Sequence, residues 1–282
     1  MERSLKRWWP VFVLPTALAF LLGFLIPFGM GLYLSFCDFT TLTDAVFVGF
    51  DNYLKAFSDA TGEFVHALWY TTLFAAVSTL LVNVLALAAA LLLTRGFAGT
   101  SLFRTVLFLP NLIGGIVLGW LWQVLLNGWL SRFGVTLVSN EWYGFWGLML
   151  VVCWQQLGYM MIIYISGLNT IPEEALEAAA IDGASPRQAF WHVKLPMLMP
   201  SVAICTFLTL VNGFKLFDQN LALTNGMPAN RSQLLALNIY STFYGRTGWA
   251  GAGQAKAVVF SLIVVSIALL QLHFTRSQED RP

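Results

Sequence analysis

The chain has 282 residues, of which 58% are hydrophobic and only 10% are charged. Soluble domains carry about 25% charged residues, so this composition argues against an ordinary water-soluble enzyme. The 15 basic and 14 acidic residues leave a net charge of +1. Nucleic-acid binding, which needs a concentrated basic surface, is therefore excluded.

The charged residues are clustered and leave six long uncharged windows along the chain. Each window reaches the length of about 18 to 20 residues that a helix needs to cross about 30 Å of hydrocarbon. We therefore predict an all-α membrane protein with six transmembrane helices. The predicted spans cover residues 11–36, 67–93, 105–126, 143–168, 199–222 and 250–274.

The first apolar run follows Arg3, Lys6 and Arg7 and so resembles a secretory signal, with Ala17-Leu18-Ala19 in the place of a cleavage site. Cleavage there would leave an apolar stretch of only about ten residues before the site and a second apolar run behind it. We expect an uncleaved first helix instead. The predicted organisation is a cytoplasmic N-terminus at 1–10, one six-helix transmembrane domain at 11–274 and a cytoplasmic tail at 275–282.

The distribution of basic residues predicts the orientation in the membrane. An even number of spans places both termini on one side, and that side carries more lysines and arginines, the mark of the cytoplasmic face. The basic residues on the side of the termini are Arg3, Lys6, Arg7, Arg95, Arg104, Arg187, Lys194, Arg276 and Arg281, and those on the other side are Lys55, Arg132, Lys215, Arg231, Arg246 and Lys256. Both termini are predicted to be cytoplasmic.

The sequence offers no catalytic residues and no metal site. Its three cysteines fall in or beside predicted spans, CxxC and HExxH motifs are absent, and the three histidines are far apart in sequence. None of its lysines follows a glycine, so a phosphate-binding loop for ATP is absent from the sequence.

The segment 169–196, between the fourth and fifth predicted spans, has the pattern of two short helices. Thr170 and Glu173 have the spacing of a capping box, and Gly183 is a helix stop. A second capping box begins at Ser185, with Pro186 at the first helical position, and Pro196 is expected to end the second helix. Such helices could simply tie two spans together, but a loop of about two to eight residues would do that as well. Two helices are more than a connection needs, which favours a docking surface. The small side chains of the alanine run would fit a groove on a partner.

The same segment resembles the cytoplasmic signature loop of the binding-protein-dependent ABC importer permeases. The matching runs are Glu177-Ala178-Ala179, Asp182-Gly183-Ala184 and Val193-Lys194-Leu195-Pro196. The resemblance implies the type I fold of these permeases and a coupling helix that docks on an ATPase subunit. The coupling residues it implies are Glu173, Glu177, Ala178, Ala179, Asp182, Gly183, Ala184, Leu195 and Pro196.

Further stretches are similar to the carbohydrate permeases of the maltose and glycerol-phosphate type. They are the residues at 27–36, 47–53, 109–110 and 224–228, although Met227 stands where the family more usually has a glycine. The stretch at 47–53 resembles the first of two permeases. The resemblance implies a prokaryotic plasma membrane location, a carbohydrate substrate and no cofactor in this chain. The implied partners are a second permease, two ATPase subunits that bind ATP and magnesium, an extracytoplasmic binding protein and membrane lipid.

Polar residues within the spans are candidates for the substrate route, because a sugar needs polar groups in place of its lost water. Residue chemistry and helical spacing indicate Gln155, Gln156, Tyr159, Thr209, Asn212 and Gly213, extending towards Leu216 and Asn220. The family pattern implies Asn111, Gly115, Gln156, Tyr159, Thr209, Gly213 and Leu216. The alternative is that these residues form hydrogen bonds between helices. Lys215 and Asp218, three apart in the fifth predicted span, are expected to form an ion pair or to contact the substrate.

Two other function classes fit parts of the sequence. A self-powered secondary transporter would also have six apolar spans, but it would not need the structured segment at 169–196, and Asp218 is the only acidic candidate for ion coupling. An intramembrane hydrolase would need a nucleophile and a base deep in the bilayer, and no histidine lies in the middle of a span.

Overall fold

The computed structural model describes residues 11, 13–41, 43–59 and 61–279, with side chains as far as residue 271. The predicted N-terminal segment 1–10 lies outside the described residues, as do residues 280–282 of the predicted tail. The elements in chain order are α1 (Val13–Leu34), β1 (Cys37–Asp38), β2 (Val46–Phe47), α2 (Asp51–Phe57), α3 (Glu63–Leu93), α4 (Thr100–Phe108), α5 (Gly115–Leu130), α6 (Glu141–Asn169), α7 (Glu173–Ile181), α8 (Pro186–Ala189), α9 (Leu195–Met197), α10 (Met199–Lys215), α11 (Asp218–Leu223), α12 (Leu235–Gly245) and α13 (Ala250–Glu279).

Four helices among the described residues are long and apolar enough to span a membrane by themselves: α1, α3, α6 and α13. Two bent pairs raise that number to six if each pair is one span, which agrees with the six predicted spans. The second and fourth predicted spans, 67–93 and 143–168, match α3 and α6 to within four residues at each end. Asn140 caps α6 by accepting a 2.9 Å hydrogen bond from the backbone N–H of Trp142.

The third predicted span, 105–126, is wrong as a continuous helix. The chain bends by 102° between the 3-10 turn Leu109–Leu112, which follows α4, and α5. Pro110 lies in that turn, and Ile113 and Gly114 have extended backbone conformations. A proline without an N–H followed by extended residues interrupts the helical hydrogen bonds, and a count of apolar residues does not detect this.

The fifth predicted span, 199–222, is also interrupted. Helix α10 ends at Lys215 because Leu216 adopts an extended conformation, with φ −63° and ψ 117°. The short helix α11 then begins at Asp218. Lys215 and Asp218 therefore lie on either side of a break and not on one turn of one helix.

The chain divides into two compact units. The first comprises the described residues up to 64 and residues 239–262, and it contains the one strand pair of the described residues, in which Cys37 pairs with Phe47 and Asp38 with Val46. This ladder is a small departure from the predicted all-α fold. The side chain of Asn52 donates hydrogen bonds to the carbonyls of Ser35 and Cys37, at 3.1 and 2.7 Å, and holds the ladder to α2.

One group of charged residues in the first unit forms ion pairs within it. Arg246 forms ion pairs with Asp59, at 2.9 Å, and with Glu63. Burial alone would raise the pKa of the Asp59 carboxyl, but hydrogen bonds from Arg246 and Thr61 hold it below its usual value. Lys256 is fully buried in α13 and donates a 2.8 Å hydrogen bond to the Thr242 hydroxyl.

The second unit comprises residues 65–238 and 263–279 and contains two apolar clusters. One cluster is built around Phe74, Phe145 and Leu223, and the other around Val82, Met160 and Tyr164. Helix α6 contributes to both clusters, and 61% of its most apolar window is buried. It therefore forms the core of the unit, and its middle and its C-terminal end line the two cavities described below.

Candidate functional site

The segment 169–196 forms the two short helices that its sequence predicts, with one error at the first cap. Thr170 donates its hydroxyl to the carbonyl of Gly167, at 2.7 Å, and so belongs to the end of α6. Pro172 stands at the N-cap of α7, with no side-chain cap. The capping box predicted at Thr170 and Glu173 is therefore wrong. Proline at this position costs the helix no hydrogen bond, because the first N–H groups of a helix have no intrahelical partner.

The remaining local predictions for this segment are confirmed, except for its end. Gly183 has φ +78°, the left-handed conformation that stops a helix. Ser185 and Gln188 form the predicted capping box, with Pro186 at the first helical position. Pro196 does not end the second helix, because the wider π turn Phe190–Lys194 leads the chain into α9, where Pro196 lies in the first turn.

Helix α7 and the three residues that follow it carry most of the predicted coupling residues. Glu173, Glu177, Ala178, Asp182, Gly183 and Pro196 are exposed, whereas Ala179, Ala184 and Leu195 are partly buried. The sequence reasoning missed Ile181, the last residue of α7, whose side chain is 86% exposed. A large apolar residue between the alanine run and Asp182 was the available signal, because an apolar side chain at the tip of an acidic helix has no partner within its own helix.

The break between α10 and α11 forms one wall of a polar cavity of about 320 Å³. Helix α6 and the 3-10 turn after α4 form the others. The lining residues are Asn111, Gln155, Gln156, Asn212, Lys215, Leu216, Phe217, Asp218 and Gln219. Five of these nine side chains are amides, so the cavity offers both hydrogen-bond donors and acceptors at several points.

Two of the amides that line the cavity form a hydrogen-bonded chain. The Gln219 amide donates to the side-chain oxygen of Gln155 at 2.6 Å, and the Gln155 amide donates to the carbonyl of Ile113 at 3.2 Å. The side-chain oxygen of Gln156 is buried and has no hydrogen-bond partner among the residues that the structure describes. An orphaned buried acceptor in a polar cavity favours a donor from a ligand or a water molecule.

The structure brings only part of the predicted substrate set together. Asn111, Gln156, Asn212 and Leu216 line the cavity, as does Gln155, whereas Gly115, Tyr159, Thr209 and Gly213 do not. Tyr159 is 39% exposed outside the cavity lining.

Thr209 takes part in hydrogen bonding between helices, which is the alternative that the sequence left open. It is almost fully buried. Its hydroxyl accepts a 2.9 Å hydrogen bond from the amide of Asn83, which in turn accepts one from Tyr164 at 2.6 Å. The two glycines are points of close helix contact. A Cβ at Gly213 would lie 3.0 Å from the Cα of Ala75, and one at Gly115 would lie 2.7 Å from the Cβ of Asp218.

The charged residues at the break face the same cavity without pairing. Lys215 and Asp218 are both exposed, and no ion pair within 4.0 Å joins them to each other or to another described residue. The ion pair that the sequence allowed is therefore not formed, and both charges are open to a ligand. The sequence reasoning missed Phe217 and Gln219, which the turn at Leu216 directs to the cavity.

Comparison with known proteins identifies the chain over most of its length. Residues 82–279 match the family model described as the binding-protein-dependent transport system inner membrane component. The probable starch degradation products transport system permease protein AmyD of Thermoanaerobacterium thermosulfurigenes is 39% identical, over 96% of this chain and 95% of its own length. The multiple sugar-binding transport system permease protein MsmF of Streptococcus mutans is 30% identical, over 97% of both chains.

Among solved structures, a bacterial ABC transporter involved in the import of the acidic polysaccharide alginate has the same fold. The TM-score is 0.82 with 98% of both chains covered, at 20% sequence identity. The predicted type I importer fold is thus confirmed. The chain belongs to the family of inner membrane components of binding-protein-dependent transport systems.

Proposed function

We propose that this chain is one of two transmembrane subunits of an ATP-driven importer that moves a carbohydrate delivered by an extracytoplasmic binding protein. The observation that carries the proposal is the group of five amide side chains around one cavity beside a helix break. Sugar hydroxyls both donate and accept hydrogen bonds, and amides do the same without the desolvation penalty of a charge. Relatives named as permeases for starch degradation products and for multiple sugars support this substrate class.

Energy for transport comes from other subunits in this proposal. ATP and magnesium are bound by two partner ATPase subunits, and this chain is not an enzyme. The exposed end of α7, with Ile181 at its tip and the Gly183 stop behind it, enters the ATPase groove and transmits its closure to the membrane helices. The chain lies in a prokaryotic plasma membrane with both termini cytoplasmic, and a second, related permease completes the pathway. A reporter fused to the C-terminus tests the orientation, since a fluorescent protein that folds only in the cytoplasm should fluoresce there.

The cavity is tested by uptake in cells that carry the complete transport system. Asn212→Ala removes an exposed amide from the cavity wall and should reduce sugar uptake about fivefold at limiting sugar, the effect of losing one hydrogen bond, with the complex assembled at normal yield. Asn169→Ala, which removes an exposed amide outside the lining of this cavity, is the matched control for loss of an amide. Unchanged uptake of every substrate in the Asn212→Ala strain, at saturating and limiting sugar, would overturn the cavity assignment.

The coupling assignment is tested at Gly183. A β-branched residue there is strained by the left-handed backbone, so Gly183→Val should uncouple sugar-stimulated ATP hydrolysis from transport. Gly134→Val is the matched control, because Gly134 has φ +74° and is equally free of neighbours but lies in another loop. Full sugar-stimulated ATPase and transport in the Gly183→Val complex would show that this segment does not transmit force. A purified chain that transports sugar alone would instead support the secondary transporter.

A further inference from the structure

A second cavity, of about 830 Å³, lies where segment 169–196 meets the ends of α3 and α6. It lies entirely within the second compact unit and shares no residue with the amide-lined cavity. Its lining residues are Leu91, Thr94, Arg95, Leu168, Asn169, Ile171, Glu173, Leu176, Pro186, Arg187, Phe190, Trp191 and Lys194. The substrate route proposed above does not use this cavity.

The lining has an excess of positive charge. Arg95, Arg187 and Lys194 face the cavity against the single carboxylate of Glu173. None of these four groups forms an ion pair with any described residue. Three cations brought to one cavity from two separate parts of the chain repel one another, so the arrangement favours a bound anion.

The cavity lies at the level where two membrane-spanning helices end. Leu91 and Leu168, which line it, are within two residues of the ends of α3 and α6. The polar lining residues Thr94 and Arg95 come directly after α3. Trp191, at the rim, is 62% exposed, and indole side chains prefer the headgroup level of a bilayer.

The lining therefore combines a basic part with an apolar part. Leu91, Leu168 and Leu176 form an apolar surface beside the arginines and Lys194. A free inorganic anion needs only the charges, whereas a phospholipid presents a phosphate and the beginning of an acyl chain together. Basic pockets between membrane helices are suited to anionic lipid headgroups.

We propose that this cavity binds the headgroup phosphate of an anionic phospholipid. Arg95 on the α3 side and Arg187 and Lys194 on the loop side hold the phosphate between them, and the leucines contact the first part of the acyl chain. The bound lipid thereby links the end of a membrane-spanning helix to the segment that carries α7.

The test uses the complete transporter, with its partner subunits, in nanodiscs of phosphatidylcholine containing increasing fractions of phosphatidylglycerol. Native mass spectrometry counts the phosphatidylglycerol molecules that remain bound and gives an apparent Kd. Arg95→Gln, Arg187→Gln and Lys194→Gln should each weaken binding about fivefold. Arg132→Gln, which removes an exposed arginine outside the cavity, should leave the Kd unchanged.

Glu173→Gln provides a test that misfolding cannot imitate, because removing the one opposing charge should tighten binding by a similar factor. A parallel series with inorganic phosphate in phosphatidylcholine nanodiscs distinguishes the source of the anion. Saturable phosphate binding that equals or exceeds that of the lipid would assign the cavity to soluble anions and overturn the lipid proposal. The proposal is equally overturned if no phosphatidylglycerol is retained, or if all the variants share the wild-type Kd.

Discussion

Gly158 lies at a close approach between two helices of the second unit, and its replacement gives a sharp test of the packing. It lies on α6 opposite the end of α4. A Cβ at this position would stand 2.0 Å from the carbonyl oxygen of Leu107 and 2.6 Å from the Cα of Phe108. Both neighbouring atoms belong to the backbone, so rotation of a side chain cannot relieve the clash.

The expected magnitude follows from these distances. Ordinary van der Waals contact begins near 3.4 Å, so Gly158→Ala requires α4 and α6 to separate by about 1.4 Å at this point. Inserting a methyl group into a well-packed interior typically costs 1–3 kcal/mol through such shifts. A clash with rigid backbone belongs at the upper limit, so we expect Gly158→Ala to lower the free energy of unfolding by about 3 kcal/mol.

The assay is unfolding of the purified complex by a denaturing detergent, followed by tryptophan fluorescence, with sugar uptake measured in parallel. Gly128→Ala is the matched control, since Gly128 also lies inside a helix and no atom of the described residues would lie within 4 Å of a new Cβ. That variant should be neutral or more stable by about 0.5–1 kcal/mol, because alanine favours helix more than glycine does. Equal stability of the two variants would refute the contact between α4 and α6.

Three further predictions concern separate parts of the chain. Ser185→Ala should destabilise α8 by about 1 kcal/mol through loss of its cap, seen as faster proteolysis at this segment, whereas Ser185→Asp should retain the protection. Thr209→Val should lower stability by about 1 kcal/mol, since it removes the hydrogen bond from Asn83 but no cavity contact, and a selective loss of sugar affinity would contradict this. The lowered pKa of Asp59 stabilises the fold above the unfolded-state pKa, and this contribution is lost as the pH falls through the folded-state value. Arg246→Gln should therefore move acid unfolding to higher pH, as measured by thermal scans at a series of pH values. An unchanged loss of stability at low pH would show that this ion pair does not lower the pKa of Asp59.

The sequence predicts long elements well where one physical pattern decides the outcome. Helices α3 and α6 are long and mostly apolar, so their existence, and their ends to within four residues, follow from hydropathy and charge alone. The cap at Ser185 and the stop at Gly183 depend on backbone rules that act within a few residues, and both could be predicted from the chain. The cap at Thr170 failed because the same hydroxyl can instead bond backward to the helix it follows, and only the structure shows which bond forms.

Which polar residues face a cavity could not be predicted from helical spacing. Thr209 and Asn212 are three residues apart on α10, and spacing places them on neighbouring parts of one helix face. In the structure Thr209 bonds to Asn83 on another helix, while Asn212 is exposed to the cavity. A rotation of a few tens of degrees about the helix axis separates these outcomes, and that rotation depends on packing between distant segments, such as Gly213 against Ala75.

The cavity lies beside the break at Leu216 for a physical reason. Extended backbone within a membrane is tolerated only where protein covers it or where it lines a water-filled space, because its peptide groups have no helical partners. Lys215 and Asp218 flank that irregular backbone and open to the cavity instead of forming a helical pair. Two charges three apart near the end of an apolar window therefore indicate a broken helix beside a water-filled site, and that interpretation would also have brought Gln219 into the candidate set.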